Sequence, residues 1–379
     1  MDFTFSEEQQ AAVEAAKAVF AGVAPDGVPS PALTAGAVAD DFDRTLWTRL
    51  AEADLLSLLL DAEYGGAGLD PIALCLVLRE SAKVLARVPL LESTAAAVAI
   101  QAHGTPELKE ELLARAARGE RVLTVAAHGR TGHDPAELAV VARREGDGTW
   151  VLDGIQTAVP WAYNADAVLV PAHTDDSGRA VLVLVSRTHE GVVLAEQIST
   201  TGERLTELRL ESARIAQRYV LDAEGAWERL RLLLTTGMCA LALGLGEGVL
   251  RMTSEYTSKR EQFGHPVATF QAVAVQAADR YIDLRAMEAT LWQAAWRISS
   301  GAAGALPAAG DVAAAKIWAS EGVRRVVQTA QHLHGGFGAD TDYSLHRYHA
   351  WAKHLELSLG PAAAHEEALG DLLAAHPLG

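Results

Sequence analysis

The chain has 379 residues, half of them hydrophobic, and a formal net charge of −17 at pH 7. This length predicts two or three domains around a large core, because single cores stop growing near about 250–300 residues. The negative charge argues against binding to nucleic acid, whose phosphates the average surface would repel. We see neither a signal-peptide pattern nor an uninterrupted apolar span, so we expect a soluble, cytoplasmic protein that does not enter a membrane.

The first region, residues 1–121, predicts an N-terminal α-helical domain. Ser6 and Gln9 form a capping-box pattern before an alanine-rich helical run that continues to Phe20. Further along, the glycines of the segment EYGGAGLD predict a sharp loop between two helices.

Between residues 122 and 220 the hydrophobic period changes from that of a helix to that of a strand. The segment AVVARREGDGTWVLDG predicts a hairpin whose turn is Gly146-Asp147-Gly148. The segments AVLVP, AVLVLVS, GVVLAEQ and LTELRLES follow as short strands. Together these segments predict a small β-barrel or sheet domain.

Helices return in residues 221–379, which we predict to form a C-terminal helical bundle domain. On its first long helix Ala240, Gly244 and Gly248 recur every four positions. Residues at this spacing share one helix face, and small side chains let another helix approach that face closely.

A later helix of this region has start and stop signals. The segment SSGAAGALPAAG predicts a loop, and Asp311 is predicted to cap the helix that follows it. Gly335-Gly336 is predicted to end the same helix. The predicted fold class is therefore mostly α with a central β-domain.

The segment REQFGHPVATFQ follows the long apolar helix and collects several ligand-binding groups. Arg260 presents a planar fork of donors that suits a phosphate oxygen. Gln262 donates and accepts hydrogen bonds, and Phe263 offers a ring face to a heterocycle. Because Gly264 and Pro266 break the helix, these side chains project from a helix end. The cluster suits one end of a nucleotide, and the alternative is a surface turn with a single aromatic residue.

Over nearly its full length the chain resembles the acyl-CoA dehydrogenase family. The matching segments are MDFTFSEEQQ, EYGGAGL, WVLDGIQTAV, REQFGHPVATFQAV and HLHGGFGADTDYSLHRYHAWAK, of which the last two are the most specific. The resemblance implies an N-terminal helical domain, a small β-barrel and a C-terminal four-helix bundle. It also implies bound FAD and the removal of hydrogen from the α and β carbons of an acyl thioester of coenzyme A.

The resemblance also implies which residues contact FAD. In the family, the residues that match Arg260, Gln262 and Phe263 hold the adenine and pyrophosphate half of a flavin, and a neighbouring subunit makes most of the contacts to that flavin. The matching positions here are Arg260, Gln262, Phe263, Gln271, His332, Gly335 and Gly336. Backbone N–H groups near a helix end at Gly335 and Gly336 are expected to approach phosphate or ribose. His332 occupies the place of the family's usual glutamine, one position after Gln331.

The expected contacts to the flavin ring are poorly matched. Ala158-Val159-Pro160 stands where the family usually has Trp-Ile-Thr or Trp-Ile-Ser, and proline supplies neither a hydroxyl nor an N–H. The segment AAHGRTGHD keeps little of the family's acidic loop beyond its length and Asp134. Trp161 lies three positions after the place of the family's tryptophan, so on a strand its side chain is expected to point to the opposite face.

The catalytic base implied by the resemblance is missing. Proton abstraction next to a thioester carbonyl needs a carboxylate close to the α carbon. The family's two usual glutamate positions are Leu359 and Leu234 in this chain. Glu356, one helical turn from Leu359, is the first candidate for a relocated base, and the alternative is a solvated helical glutamate. Weaker candidates of the same kind are Glu247 and Glu228.

The sequence predicts neither a disulfide nor a metal site. Cys75 and Cys239 are the only cysteines, and both lie in apolar segments, so we interpret them as core residues. The C-terminal region also contains four histidines: His332, His334, His346 and His349. Without a cysteine or carboxylate cluster at ligand spacing, surface or helix-end roles are favoured for them.

A chain that keeps the nucleotide motif but lacks the base resembles one subunit type of the heteromeric acyl-CoA dehydrogenases of bacterial steroid side-chain degradation. In these enzymes two related chains form an α2β2 heterotetramer, and one of them supplies the glutamate. We therefore interpret this chain as an accessory subunit that completes the FAD site of a homologous catalytic chain. One alternative is a self-sufficient homotetrameric flavoenzyme with a relocated base, or with a reaction that needs none. The other is a cofactor-free structural or binding protein with this fold.

Overall fold

A computed structural model describes residues 4–25, 30, 33–131 and 137–376 of the chain. Helices form its two ends and strands form its middle, as the sequence predicts. Asp134 and the first three residues of the motif MDFTFSEEQQ lie outside the described residues.

The N-terminal part is helical. Its helices are α1 (Glu7–Phe20), α2 (Arg44–Glu52), α3 (Pro71–Ala82), α4 (Leu90–His103) and α5 (Pro106–Ala117). The predicted capping box is confirmed at the start of α1. The Ser6 hydroxyl accepts a hydrogen bond from the Gln9 N–H at 3.2 Å, and the Gln9 side chain accepts one from the Ser6 N–H at 3.0 Å. The glycine-rich segment EYGGAGLD forms the predicted loop between α2 and α3.

The middle of the chain is a mixed sheet. Its strands are β1 (Leu123–Val125), β2 (Val140–Arg144), β3 (Trp150–Pro160), β4 (Ala167–Thr174), β5 (Ala180–Ser186), β6 (Val192–Ile198), β7 (Arg204–Ile215) and β8 (Val220–Leu221). They are ordered β6-β7-β3-β2-β4-β5-β8, and β1 pairs in parallel with β4. β2 also pairs in parallel with β4, whereas the other pairs in the order are antiparallel.

The predicted hairpin and the four predicted short strands are confirmed. β2 and β3 pair antiparallel around the turn that contains Gly146-Asp147-Gly148. β4 is buried on both faces, because Leu169 packs against the helices while Val168 and Val170 pack inside the sheet domain. Burial on both faces explains why this strand is a continuous apolar run rather than an alternating one.

The C-terminal part is helical. It contains α6 (Ala226–Lys259), the short hairpin of β9 (Glu261–Gln262) and β10 (His265–Pro266), and the helices α7 (Gln271–Ser300), α8 (Ala308–His334), α9 (Leu345–Leu357) and α10 (Ala362–Ala375). The prediction that Gly335-Gly336 ends a helix is confirmed, because α8 stops at His334. The prediction that Asp311 caps α8 is wrong. The helix begins three residues earlier, after Pro307, and Asp311 forms an ion pair with Arg297 at 2.8 Å instead.

The long helix α6 is the centre of the core. It is long and apolar enough by composition to cross a membrane, but 83% of its most apolar window is buried inside the protein, as in a core helix. Cys239 on α6 and Cys75 on α3 are both buried, and burial raises the pKa of both thiols, that of Cys239 to about 12. Both cysteines therefore lie in the core, as predicted.

The small-residue face of α6 packs against α3 of the same chain. A Cβ at Gly244 would overlap the carbonyl oxygen of Arg79, and one at Gly248 would lie 3.1 Å from the carbonyl oxygen of Lys83. The close approach predicted from the glycine spacing is therefore confirmed, with α3 as the neighbouring helix.

We expect Gly244→Ala to lower the free energy of unfolding by about 2–3 kcal/mol, because the added methyl group forces two helix backbones apart. Gly370→Ala on α10 is the matched control, since a Cβ there meets nothing within 4 Å. The control should gain up to about 1 kcal/mol from helix propensity. Denaturant unfolding followed by circular dichroism measures both, and equal effects of the two substitutions would contradict the packing argument.

Candidate functional site

The predicted nucleotide cluster begins where α6 ends. Arg260 is the C-cap of α6 and is exposed, and the β9–β10 hairpin follows it directly. Phe263 and Gly264 form the two-residue turn of this hairpin, with φ of 53° and 79°. A turn with two positive φ values matches the twist of paired strands, and glycine adopts the second one without strain. The turn holds the Phe263 side chain away from the protein, with 91% of its surface exposed.

The end of α8 lies opposite this hairpin. Gly335 has φ 60° and ψ −141°, a conformation that side chains disfavour, and a short 3-10 turn (Gly335–Ala339) follows. The Gln331 amide lies against this turn: with its oxygen and nitrogen assigned to satisfy both groups, it donates to the Gly338 carbonyl at 3.0 Å and accepts from the Ala339 N–H at 3.2 Å. Gln331 therefore has a structural role, and its neighbour His332 faces the space in front of the turn.

These two walls enclose an open cleft, which we call the nucleotide cleft. Its volume is about 620 Å³, within the range of about 300–1,000 Å³ that is common for small-molecule sites. Five of the seven predicted FAD residues line it: Arg260, Gln262, His332, Gly335 and Gly336. The two others lie outside its lining. Phe263 is at the hairpin tip beside Phe270, and Gln271 is the first residue of α7.

An aromatic stack that the sequence analysis missed supports the floor of the cleft. The Tyr256 ring stacks on His334, with ring centroids 4.3 Å apart, and on Phe337, with centroids 5.4 Å apart. Tyr343 packs behind Phe337 and His334. Tyr256 precedes Arg260 by one helical turn, and this spacing is the sequence signal that would have placed both on the same face.

The charges around the cleft suit an anion only in part. Arg260 forms no ion pair with any described residue, so its guanidinium is free for a ligand. The N-terminus of α7, where Phe270 provides no side-chain cap, adds a positive helix end nearby in the chain. Gly335, in contrast, lies at the C-terminal end of α8, where the helix dipole is negative. The dipole there does not attract phosphate, so Arg260 has to supply that attraction, and the approach of the Gly335 and Gly336 N–H groups to phosphate or ribose stays a prediction.

The flavin-ring position of the family does not fit a flavin ring here. Pro160 is buried at the end of β3, and its carbonyl accepts a hydrogen bond from the Thr124 hydroxyl at 2.7 Å. The Ala158 N–H already donates to the Gln197 side chain at 2.9 Å. Because proline has no N–H and the Ala158 N–H is already used, neither residue offers a backbone donor to a ring.

Trp161 does not lie on the strand. β3 ends at Pro160, and Trp161 has a positive φ of 60°, so the alternation of a strand does not decide its direction. Its ring packs edge-on against Phe42, with centroids 6.2 Å apart. The expectation based on strand register was therefore wrong.

A small cavity lies beside Trp161, and we call it the inner cavity. It is formed where α3, α4, α6, α9 and the end of β3 meet, and its volume is about 60 Å³. This volume is several times smaller than that of a typical ligand pocket. The site that would face a flavin ring in this chain is thus nearly filled by the chain itself.

The two usual base positions belong to the hydrophobic core. Leu234 on α6 and Leu359 after α9 are 2% and 1% exposed. The end of α9 is held by Lys316, whose ammonium group donates to the carbonyls of Leu355 and Glu356 at 2.8 and 3.2 Å. Burial lowers the pKa of Lys316 to about 8. This buried lysine was also missed, although a single lysine within the apolar run AAAKIWAS indicates such a role.

The structure places the three candidate bases in different surroundings. Both carboxylate oxygens of Glu356 accept hydrogen bonds from Lys353 at 2.9 Å. Burial raises the pKa of Glu247, but the hydrogen bonds and charges of Arg79 and Lys83 outweigh it, so the pKa lies below its usual value. Glu228 is exposed in the first turn of α6. None of the three lines the inner cavity.

Two of the four C-terminal histidines make local contacts in the described part of the chain. His334 Nδ1 lies 2.8 Å from the Ala330 carbonyl, and His346 Nδ1 lies 2.8 Å from the Tyr343 carbonyl. Within the described residues, histidine, cysteine and carboxylate side chains form no group of three that could hold a metal ion.

Two family models match the chain. The acyl-CoA dehydrogenase N-terminal domain matches residues 6–120, and the acyl-CoA dehydrogenase C-terminal domain matches residues 227–373. Among curated proteins, acyl-CoA dehydrogenase FadE27 of Mycobacterium tuberculosis is 40% identical over 343 residues, which are 89% of this chain and 90% of that protein.

Two solved complexes contain similar chains. The ChsE4–ChsE5 complex from Mycobacterium tuberculosis matches with a TM-score of 0.90 and 37% identity over all of both chains. The steroid ACAD complex Tcur3481–Tcur3483 matches with a TM-score of 0.88 and 36% identity, over 97% of this chain and 98% of that one. These similarities confirm the predicted fold class and the predicted resemblance to the heteromeric steroid-type enzymes.

The inner cavity contains a carboxyl group whose ionisation should affect stability. Burial raises the pKa of Glu92 to about 7, and its backbone and Trp161 hydrogen bonds oppose this only in part. A pKa above the unfolded value means that Glu92 contributes stability that is fully present below about pH 4.5 and lost as pH rises through about 7.

We expect the free energy of unfolding of Glu92→Gln, whose side chain stays neutral, to be about 2–3 kcal/mol higher than that of the parent protein above pH 8. The difference should shrink to near zero at pH 4.5. The other titratable groups that line the cavity, Glu203, Arg204 and His354, are present in both proteins and cancel. Denaturant unfolding across this pH range measures the difference, and parallel pH curves would show that Glu92 ionises normally.

Proposed function

Because the chain belongs to the acyl-CoA dehydrogenase family, we propose that it is the accessory subunit of a heteromeric, FAD-dependent acyl-CoA dehydrogenase. In this proposal a homologous catalytic chain supplies the glutamate base and the contacts to the flavin ring, in an α2β2 heterotetramer. This chain supplies the nucleotide half of the shared FAD site. The reaction is the α,β-dehydrogenation of an acyl-CoA thioester, in which FAD is the electron acceptor.

The observation that carries this proposal is the contrast between the two halves of the expected cofactor site. The nucleotide cleft is open, with an unpaired Arg260 and the polar groups of Gln262 and His332 on its walls. The flavin-ring half is closed by Pro160 and leaves only the inner cavity. The residues present thus fit the adenine and phosphate end of FAD and do not fit its ring, which has to lie on another chain.

An exposed apolar surface beside the cleft supports contact with another chain. Phe263 and Phe270 lie at the hairpin, and Val275 and Ile282 on α7 are 52% and 63% exposed. These two α7 residues are seven positions apart, so they lie on one helix face. Exposed apolar groups that form a continuous surface usually mark a protein interface.

The similar complexes support both the partner and the substrate class of the proposal. Each of the two contains a second, differently named chain, and one of them is described as a steroid ACAD. We therefore propose a homologous partner chain and an acyl-CoA substrate whose acyl group is the side chain of a steroid. The chain's own part in catalysis is to position FAD, not to move a proton.

Co-expression with the homologous partner should yield a stable complex that contains about one FAD per heterodimer, whereas the chain alone should be colourless. Light scattering gives the mass of the assembly, and flavin absorbance gives the FAD content. A homotetramer of this chain with four tightly bound flavins would favour the self-sufficient enzyme instead. A complex that forms but never takes up flavin would favour a cofactor-free protein.

Arg260→Ala should lower the FAD affinity of the complex by about ten- to a hundredfold, because it removes a charge-assisted contact. Arg251→Ala is the matched control, since Arg251 is an exposed arginine of the same helix that does not line the cleft. Fluorescence titration of the apo-complex with FAD measures both variants. If Arg260→Ala retains flavin as well as Arg251→Ala, the hairpin is only a surface turn.

Glu356→Gln should leave the turnover of the assembled complex within about threefold of the parent. A true general base contributes at least about a hundredfold, whereas Glu356 is held by Lys353 outside the inner cavity. Steady-state kinetics with FAD content and assembly measured in parallel give the answer. A hundredfold loss with FAD still bound would show that the base has moved to this chain.

A further inference from the structure

A further cavity lies where the N-terminal helices meet the sheet domain, and we call it the junction crevice. It is formed by α5, β1, the start of β4 and the ends of β5 and β7, and its volume is about 380 Å³. It shares no lining residue with the nucleotide cleft or the inner cavity. The junction crevice is therefore separate from the site described above, and its volume is in the range common for small-molecule sites, which often lie between domains.

The floor of the junction crevice is apolar. Four buried aliphatic side chains line it: Leu112, Leu123, Leu184 and Ile215. The partly buried ring of Tyr219 adds a further apolar surface to the wall. A ligand needs an apolar body to fit here, because a polar group placed on this floor would lose its hydrogen bonds to water.

Arg121 lines the junction crevice and has unused hydrogen-bond donors. Its Nη1 donates to Asp166 at 2.9 Å, and the other carboxylate oxygen of Asp166 accepts from the Val122 N–H at 2.8 Å, so the guanidinium is held in place. The Nε group of Arg121 is shielded from water and has no hydrogen-bond partner among the described residues, and Nη2 has none either. A shielded donor without an acceptor costs free energy, so an acceptor that enters the crevice would stabilise this edge of the guanidinium.

The two unused donors of Arg121 suit a carboxylate. In an arginine, Nε–H and Nη2–H point to the same side of the planar guanidinium and can bind two oxygens at once. This chain uses the same pair of donors elsewhere. Nε and Nη2 of Arg118 donate to the two oxygens of Glu120 at 2.7 and 3.2 Å, and those of Arg87 donate to the two oxygens of Glu203. At Arg121 no described carboxylate occupies the equivalent edge.

Three other charged side chains surround the junction crevice. Arg214 is paired with Glu145 at 2.6 Å. Arg218, whose guanidinium lies over the Tyr219 ring, forms no ion pair with a described residue and adds a positive charge beside the wall. Glu111 on the rim is exposed and has no described partner either, so its carboxylate repels an anion. Arg218 therefore balances Glu111, and the unused donors of Arg121 decide that an anionic group is preferred.

We propose that the junction crevice binds a monocarboxylate with a short or medium-length hydrocarbon chain. Its carboxylate accepts hydrogen bonds from Nε and Nη2 of Arg121, and its chain lies on the apolar floor. This site needs neither FAD nor the partner chain, so it is tested on the chain alone and is independent of the proposed function.

Octanoate is a suitable probe, and isothermal titration calorimetry on the whole chain measures its binding. We expect saturable binding, and the affinity should rise about three- to fourfold for each methylene group from butyrate to octanoate, because each adds buried apolar surface. Octylammonium has the same chain with the opposite charge. It should bind at least about tenfold more weakly, because it cannot accept hydrogen bonds from Arg121.

Matched variants assign the binding to the junction crevice. Arg121→Gln should weaken octanoate binding at least about tenfold, whereas Arg118→Gln, at a neighbouring arginine that does not line the crevice, should not. Ala216→Phe places a ring at an exposed position of the crevice wall and should abolish binding, whereas Ala363→Phe, at an exposed position of α10, should not. Glu111→Gln should strengthen binding by up to about fivefold, because it removes an unpaired carboxylate from the rim.

Three results would overturn the proposal, with the folding of each variant checked by circular dichroism. The first is the absence of saturable octanoate binding. The second is equal affinity for octanoate and octylammonium, which would show that Arg121 binds no anion. The third is octanoate binding that survives both Arg121→Gln and Ala216→Phe, which would place the ligand elsewhere. If Arg121→Gln does not fold, Ala216→Phe and the comparison with octylammonium still decide the outcome.

Discussion

The contact between α6 and α3 is the constraint on which the rest of the structure depends. At Gly244 the two helix backbones approach so closely that a methyl group does not fit, and this fixes the position of α6 in the core. α6 also packs against α4, α7, α8 and α9 and contacts the sheet at β5. Because α6 ends at Arg260, its docking also determines where the nucleotide cleft forms.

The two halves of the expected cofactor site differ in their physical character. Around Arg260 the groups are exposed, polar and short of partners, so a ligand gains contacts there. At the end of β3 the Pro160 carbonyl and the Ala158 N–H are already hydrogen-bonded within the chain, and Leu234 and Leu359 are buried in the core. In the proposed function, a chain with only the first half completes a site on another chain.

Two expectations failed for reasons that local sequence does not contain. Pro307 starts α8 before Asp311, which pairs with Arg297 across a loop. Trp161 was assigned to a strand that ends one residue before it. In each case an element boundary or a long-range contact decided the outcome.

The sequence by itself determined the order of helices and strands, the capping box, the hairpin turn, the close helix face and the loss of both glutamate positions. The first four follow from residue type and local spacing, which act over a few residues, whereas the loss of both glutamate positions follows from the resemblance to the family. Only the tertiary structure decided that Arg260 and His332 share a cleft, that Phe263 and Gln271 do not line it, and that Glu92 faces a cavity. Burial, pairing and pKa arise from groups distant in the chain, and no local pattern encodes which of them meet.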